Sequence, residues 1–180
     1  MEAIAQHADS TKPTLYAHFG SKDRLFQNCQ QREADRLAQW LFTTYDESAD
    51  LSMREQVHAG MRAFFDYAGT HPDGFGLLFN DHTTAGATSV RDEFLRTITE
   101  RIAEQVRAVG HRHQETRPTI SAELLAAMLV GIAVHGTRQA LDTDPAILGR
   151  AGDLATALAA TGIRHLDEQL MPLIDTISNG

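Results

Sequence analysis

The sequence predicts an all-α protein of about nine helices. Almost every long segment repeats its apolar residues at helical spacing, and no segment alternates apolar and polar residues as a half-buried strand would. Between the periodic segments lie Ser, Thr and Asp at capping positions and Pro or Gly breaks. No internal repeat or low-complexity stretch interrupts this layout.

In chain order, residues 1–8 form a short helix and Asp9-Ser10 a turn. Pro13 suits the first turn of a second helix, where no intrahelical acceptor is needed. Proline also disfavours helical geometry at the preceding residue, so the cap is Lys12 or Thr11. Ser21 is a good N-cap for a third helix reaching about Thr44, with Asp23 in its first turn and Leu25, Phe26, Leu37, Trp40 and Leu41 along it. Ser52 and Glu55 make a capping box, opening a helix with Val57, Met61, Phe64, Phe65 and Ala68 on one face.

The run from His71 to Gly74 breaks the chain before a short apolar helix from Phe75 to Phe79, and a Thr, Ala and Gly-rich loop runs from Asn80 to Thr88. A stripe of Phe94, Ile98, Ile102, Val106 and Val109 marks the next helix; the polar stretch from His111 to Pro118 ends it. Two long helices close the chain. One runs from about Ile120 to Leu141; the other is capped by Asp144, passes Leu166 and is rich in small residues, Ala151, Gly152, Ala155, Ala159 and Gly162.

At 180 residues the chain can be one compact domain or a small head on a larger body. Apolar content of 42% and charged content of 22% are those of a globular protein. No run approaches the roughly eighteen apolar residues of a membrane span, and the N-terminus lacks the pattern of a signal peptide. The single cysteine, Cys29, excludes an internal disulfide, fits a reducing cytoplasm and is expected buried as a small hydrophobe. A cytoplasmic protein with no membrane partner is the expectation.

The segment from Thr11 to Lys22 reads as a short helix built to enter a DNA groove. Leu15 and Phe19, four apart, face one way and leave Lys12, Thr14, Tyr16 and His18 for other faces. Lys22 begins the next helix, whose backbone N–H groups favour an anion such as phosphate. A formal net charge of −8 argues against a simple nucleic-acid binder. From Ser10 to Arg24, however, Lys12, Lys22 and Arg24 face only Asp23, so the excess acid lies downstream. A neutral-to-basic end on an acidic body presents that end to DNA.

The string Ile4-Ala5-Gln6-His7-Ala8, a short turn, and then Thr-Lys-Pro-Thr-Leu-Tyr-Ala-His-Phe-Gly-Ser-Lys-Asp-Arg-Leu resembles the DNA-binding segment of the TetR family of bacterial transcriptional regulators. The match covers roughly Met1 to Leu25 and fixes residue types at a dozen consecutive positions. The resemblance implies a helix-turn-helix DNA-binding domain at 1–22, lacking the family's first helix, and a ligand-binding and dimerisation domain at 23–180. It implies DNA contacts from Thr11, Lys12, Pro13, Thr14, Tyr16, His18 and Lys22. Lys12, Pro13 and Thr14 would face base edges and nearby phosphates; Tyr16, His18 and Lys22 would hold the backbone.

The resemblance further implies a homodimer through the last two long helices, which are long and apolar enough to permit it. The implied function is a repressor that leaves a pseudo-palindromic operator when a small molecule enters the body. The alternative is a ligand-binding or protein-interaction dimer without a working DNA head, motivated by the family helix that does not precede Met1. A largely apolar ligand would be lined by Trp40, Met61, Phe64, Phe65, Phe75 and Phe79, with His58, His82 and His135 as polar contacts; for any one of the aromatics, plain core is the commoner role. His111 and His113 are weak evidence for a metal without a carboxylate or cysteine cluster. No Gly-rich phosphate loop, His-Glu-x-x-His or nucleophile elbow is present, so no catalytic residue, metal or cofactor is expected.

Overall fold

The computed structural model describes residues 1–80, 85–112 and 119–169, and the side chains of 1–80, 90–109 and 122–162. Among them are eight α-helices: α1 (Glu2–His7), α2 (Lys12–Phe19), α3 (Lys22–Glu47), α4 (Met53–Thr70), α5 (Pro72–Phe79), α6 (Ala85–Arg112), α7 (Thr119–Thr143) and α8 (Leu148–Gln169). A single 3-10 turn, Pro145–Ile147, precedes α8.

The helix starts follow local chemistry. Thr11 caps α2: the Thr14 N–H donates to Thr11 Oγ1 at 3.3 Å, and the two threonine hydroxyls meet at 2.7 Å. The Arg24 N–H donates to Ser21 Oγ at 3.1 Å and starts α3. At α4 the capping box is complete, with the Ser52 N–H donating to Glu55 Oε2 at 3.0 Å and the Glu55 N–H to Ser52 Oγ at 3.4 Å.

Elsewhere the elements depart from expectation. His71 is a cap rather than a break, and α5 begins at Pro72, whose missing N–H costs nothing at a first helical position. Residues 85–88 are helical rather than loop, so α6 starts earlier than its apolar stripe. Asp144 accepts from the Ala146 N–H at 2.9 Å and caps the 3-10 turn, not α8 itself.

The core lies among α3 to α8. Leu37 and Leu41 of α3 and Tyr67 of α4 are fully buried, and Phe64, Phe75, Phe79 and Phe94 form a chain of rings with centroids 4.6 to 6.0 Å apart. A smaller cluster of Ala103, Val106, Ala122 and Ala126 joins α6 to α7. Three of the small residues of α8 serve contacts within the chain, whereas a Cβ on Gly162 would meet open space. A Cβ on Gly152 would lie 3.2 Å from Phe65, and Ala155 and Ala159 are buried, so α8 packs closely on α4. One segment, 122–143, is long and apolar enough to cross a membrane by length and composition, contrary to the expectation of no such run. It packs against α6 and α8 and buries Ala126, Leu129, Ala133 and Thr137.

α1 and α2 stand apart from this core. α1 packs on α2 and α2 on the first turns of α3, burying Ala5 and Leu15. The continuous α3, about 39 Å long at 1.5 Å per residue, thus carries the N-terminal pair at one end and enters the core at the other.

Candidate nucleic-acid interface and effector cavity

α1 turns into α2 through Asp9, which takes the left-handed φ of 46° tolerated best by Gly, Asn and Asp. Leu15 is buried and Phe19 half-buried against α3, which fixes the rotation of α2. The consequence is that Thr11, Lys12, Pro13, Thr14, Tyr16 and His18 are all exposed, with Lys22 exposed at the start of α3. At 3.6 residues per turn, Pro13 and Ala17 fall on the line opposite Leu15 and Phe19, with Thr14 beside them. Tyr16 flanks that line on one side and His18 lies beyond Thr14 on the other, while Lys12, three residues before Leu15, starts the helix on the Leu15 side.

Ala17 was not singled out by sequence, because a methyl group carries no polar signal; its register on the helix is what places it. Arg24 was likewise missed. It is exposed in the first turn of α3, and its guanidinium lies 3.7 Å from where a Cβ on Gly20 would stand, beside the end of α2. Lys12 is paired with Glu2 at 3.7 Å, but both side chains are exposed, so water and a competing phosphate can replace that partner cheaply. His18 packs edge-on against Phe19 with centroids 4.6 Å apart, which restricts its ring.

A separate cavity of about 50 Å³ lies among α3, α4, α6 and α7. Its walls include Val57, Met61, Phe64, Phe94, Ile98 and Leu129. Tyr45, Gln56 and Gln105 add neutral polar groups, and no charged side chain lines it among the described residues. Two of these brace the surrounding backbone. The Gln105 amide donates to the Tyr45 carbonyl at 3.1 Å, and Gln56 donates to the carbonyls of Ala49 and Leu51 at 3.1 and 2.9 Å. Burial pushes the Tyr45 hydroxyl well above the usual tyrosine range, so it is neutral.

Of the eight described residues expected around a ligand, only Met61 and Phe64 line this cavity. Phe75 and Phe79 are core, and Phe65 is committed to the seam with α8. Trp40 is 40% exposed, its indole N–H donating to the Ala63 carbonyl at 3.0 Å. His58 lies in a surface groove with Arg54 and Asp153, and His135 is exposed on α7. His82, and the side chains of His111 and His113, lie outside the described residues. Cys29 is exposed on α3, not buried. Helical spacing told that these side chains were apolar or aromatic; which of two apolar surroundings each meets depends on helix crossings that no local pattern encodes.

Comparison with known proteins agrees with the head. Residues 1–29 match the model of the family described as bacterial regulatory proteins, tetR family. The chain is 32% identical over 149 residues to the HTH-type transcriptional activator FasR of Mycolicibacterium smegmatis, a match covering 80% of this chain and 64% of that protein. It therefore spans somewhat less than two thirds of that relative's length. A solved TetR-like transcriptional regulator from Rhodococcus sp. RHA1 superposes with a TM-score of 0.68 at 29% identity, covering 91% of this chain and 83% of the other. That similarity extends the likeness from the head to the helical body.

Proposed function

Because the chain belongs to the TetR family of bacterial regulatory proteins, we propose that it is a DNA-binding transcriptional regulator whose residues 1–22 are the DNA-binding head and 23–180 the ligand-binding and dimerisation body. The matched family and relatives are regulators rather than enzymes. The carrying observation is α2: a capped eight-residue helix that buries Leu15 and leaves its polar residues exposed. Pro13, Thr14 and Ala17 would approach base edges, while Tyr16, His18 and Lys22 hold phosphates.

The partner copy would cover the outer face of α7 and α8. Leu124, Met128, Leu154 and Leu158 are 41% to 64% exposed there, an unusual concentration of large apolar side chains on a monomer surface. A two-fold dimer of this kind sets two recognition helices about 34–36 Å apart, one turn of B-DNA.

The effector reading rests on the uncharged cavity, which suits a largely apolar molecule in the cytoplasm. At about 50 Å³ it is far smaller than the roughly 300–1,000 Å³ of a ligand-sized pocket. Binding would therefore part α4, α6 and α7 and displace the Tyr45 end of α3. A ligand that prefers this opened state shifts the two heads away from the operator spacing. Release on ligand entry makes such a regulator a repressor; the mycobacterial relative is named an activator. A reporter driven through the selected operator decides the direction, since removing the protein raises expression under a repressor and lowers it under an activator.

Selection from random duplexes with the full chain should enrich a pseudo-palindrome with half-sites about 10 base pairs apart. Lys22→Ala should weaken binding to all sequences alike and lower the salt slope by about 1, and Tyr16→Phe should do so more mildly. Lys12→Ala and Thr14→Ala should instead change which bases are preferred. No enrichment by the full chain would sink the assignment and leave a helical dimer without a working head.

A further inference from the structure

The seam at which α3 first enters the body is polar, although the rest of its buried face is not. Following α3 away from the head, the first buried side chains are Gln30 and Glu33, only 1% and 7% exposed, and the apolar series Ala34, Leu37 and Leu41 comes after them. Both reach α5. The Gln30 amide donates to the Leu77 carbonyl at 2.9 Å near the end of α5. The Glu33 carboxylate sits against the first turn of α5, filling the space that a Cβ on Gly74 would need. That turn is the positive end of a helix and favours an anion.

Glu33 is also held from two further sides. The Tyr67 hydroxyl of α4 donates to Oε1, and Arg36 one turn along α3 donates to Oε2 at 3.1 Å. Burial and the Glu33 hydrogen bond both push the Tyr67 hydroxyl up, so it remains a donor. The Tyr67 ring is itself fixed, stacked at 4.7 Å on His71, the cap of α5, with Trp40 edge-on at 5.8 Å.

A buried carboxylate is a poor choice for stability alone, since an apolar side chain of similar volume is often neutral or better there. What it supplies is direction. Apolar contacts allow a helix to roll and slide, whereas a carboxylate that accepts from Tyr67 of α4 and from Arg36 of its own helix while seated against Gly74 of α5 favours a single pose. The seam lies about 16 Å from Lys22 along α3, so a tilt of roughly 10° there moves the head by about 3 Å.

We propose that Glu33, gripped by Tyr67 and seated in the gap left by Gly74, is the positioning residue that fixes the angle at which α3 carries the head. The proposal rests on the regulator reading for its consequence, the spacing of two recognition helices, but the latch itself is intramolecular. Cys29 allows a direct test, because it is the sole cysteine, exposed, and on α3 between head and latch.

A spin label on Cys29 of the full chain reports both the label-to-label distance in the dimer and the rocking of α3 through its line shape. Native protein should give one narrow distance. Glu33→Leu should move or broaden it by about 3 Å or more without lowering the thermal midpoint, which a merely structural role would not produce. Tyr67→Phe and Gly74→Ala should act in the same direction, and Glu33→Gln, which keeps an acceptor for Tyr67, should lie closer to native. An unchanged distance in Glu33→Leu and Tyr67→Phe overturns the latch. If no dipolar signal appears in the native chain, the dimer fails; the latch is then judged on the label's line shape, where mobility increases in Glu33→Leu support it and an unaltered line shape overturns it.

Discussion

Gly20 ends α2 with φ 77°, a left-handed conformation that side chains with a Cβ adopt at a cost of about 1–2 kcal/mol. The strain would act on a very small unit, because α1 and α2 bury only Ala5 and Leu15 between them. Gly20→Ala should therefore raise amide exchange throughout residues 2–19 while the melting of the body stays put. Uniform exchange across the chain in that variant would instead mean that head and body unfold as one. At the same scale, the Lys12–Glu2 pair at 3.7 Å is exposed on both sides, so it contributes little to stability.

The helix starts make the clearest contribution at the level of elements. The Glu55 carboxylate is held below the usual carboxylate range by hydrogen bonds from the Ser52 side chain and then the Ser52 backbone N–H. A depressed acid favours the folded state while ionised. Its contribution is present above the ordinary value of 4.5 and lost as pH falls through its own lower value. Glu55→Gln should thus melt earlier than native protein near neutrality, and the gap should close as the buffer is acidified below the ordinary carboxylate range. Ser52→Ala should cost about 1 kcal/mol near neutrality, read from denaturant midpoints, since it removes the acceptor at the cap. A gap between Glu55→Gln and native protein that is constant with pH would show that the box contributes through packing alone.

For the molecule as a whole, the outer face of α7 and α8 decides whether one chain suffices. Met128→Lys combined with Leu158→Lys places charge where apolar surface would be covered, both positions being well exposed in one chain. Sedimentation should shift from dimer to monomer with helix content retained, and operator affinity should fall by more than tenfold because each head then binds alone. A dimer that survives both charges must use another face. His135 belongs to this surface, at helical spacing from Leu124 and Met128, rather than to the cavity where sequence would put it.

Sequence by itself determined what depends on neighbours within a turn or two. Ser21 and Ser52 declared two helix starts, Pro13 narrowed a third to Thr11 or Lys12, and Leu15 with Phe19 declared which side of α2 is hidden. That local code is also what carries the family likeness, and it told which residues of α2 stay exposed. Tertiary structure alone decided how distant residues share space. Gly74 reads as a chain break until Glu33, forty-one positions earlier, is seen to occupy its missing Cβ. Trp40 and Phe65 look like ligand walls until one is found at the surface and the other against α8. The physical reason is that capping and amphipathicity are set by hydrogen bonds and burial along one helix, whereas cavities and latches arise from crossings between helices that meet only after folding.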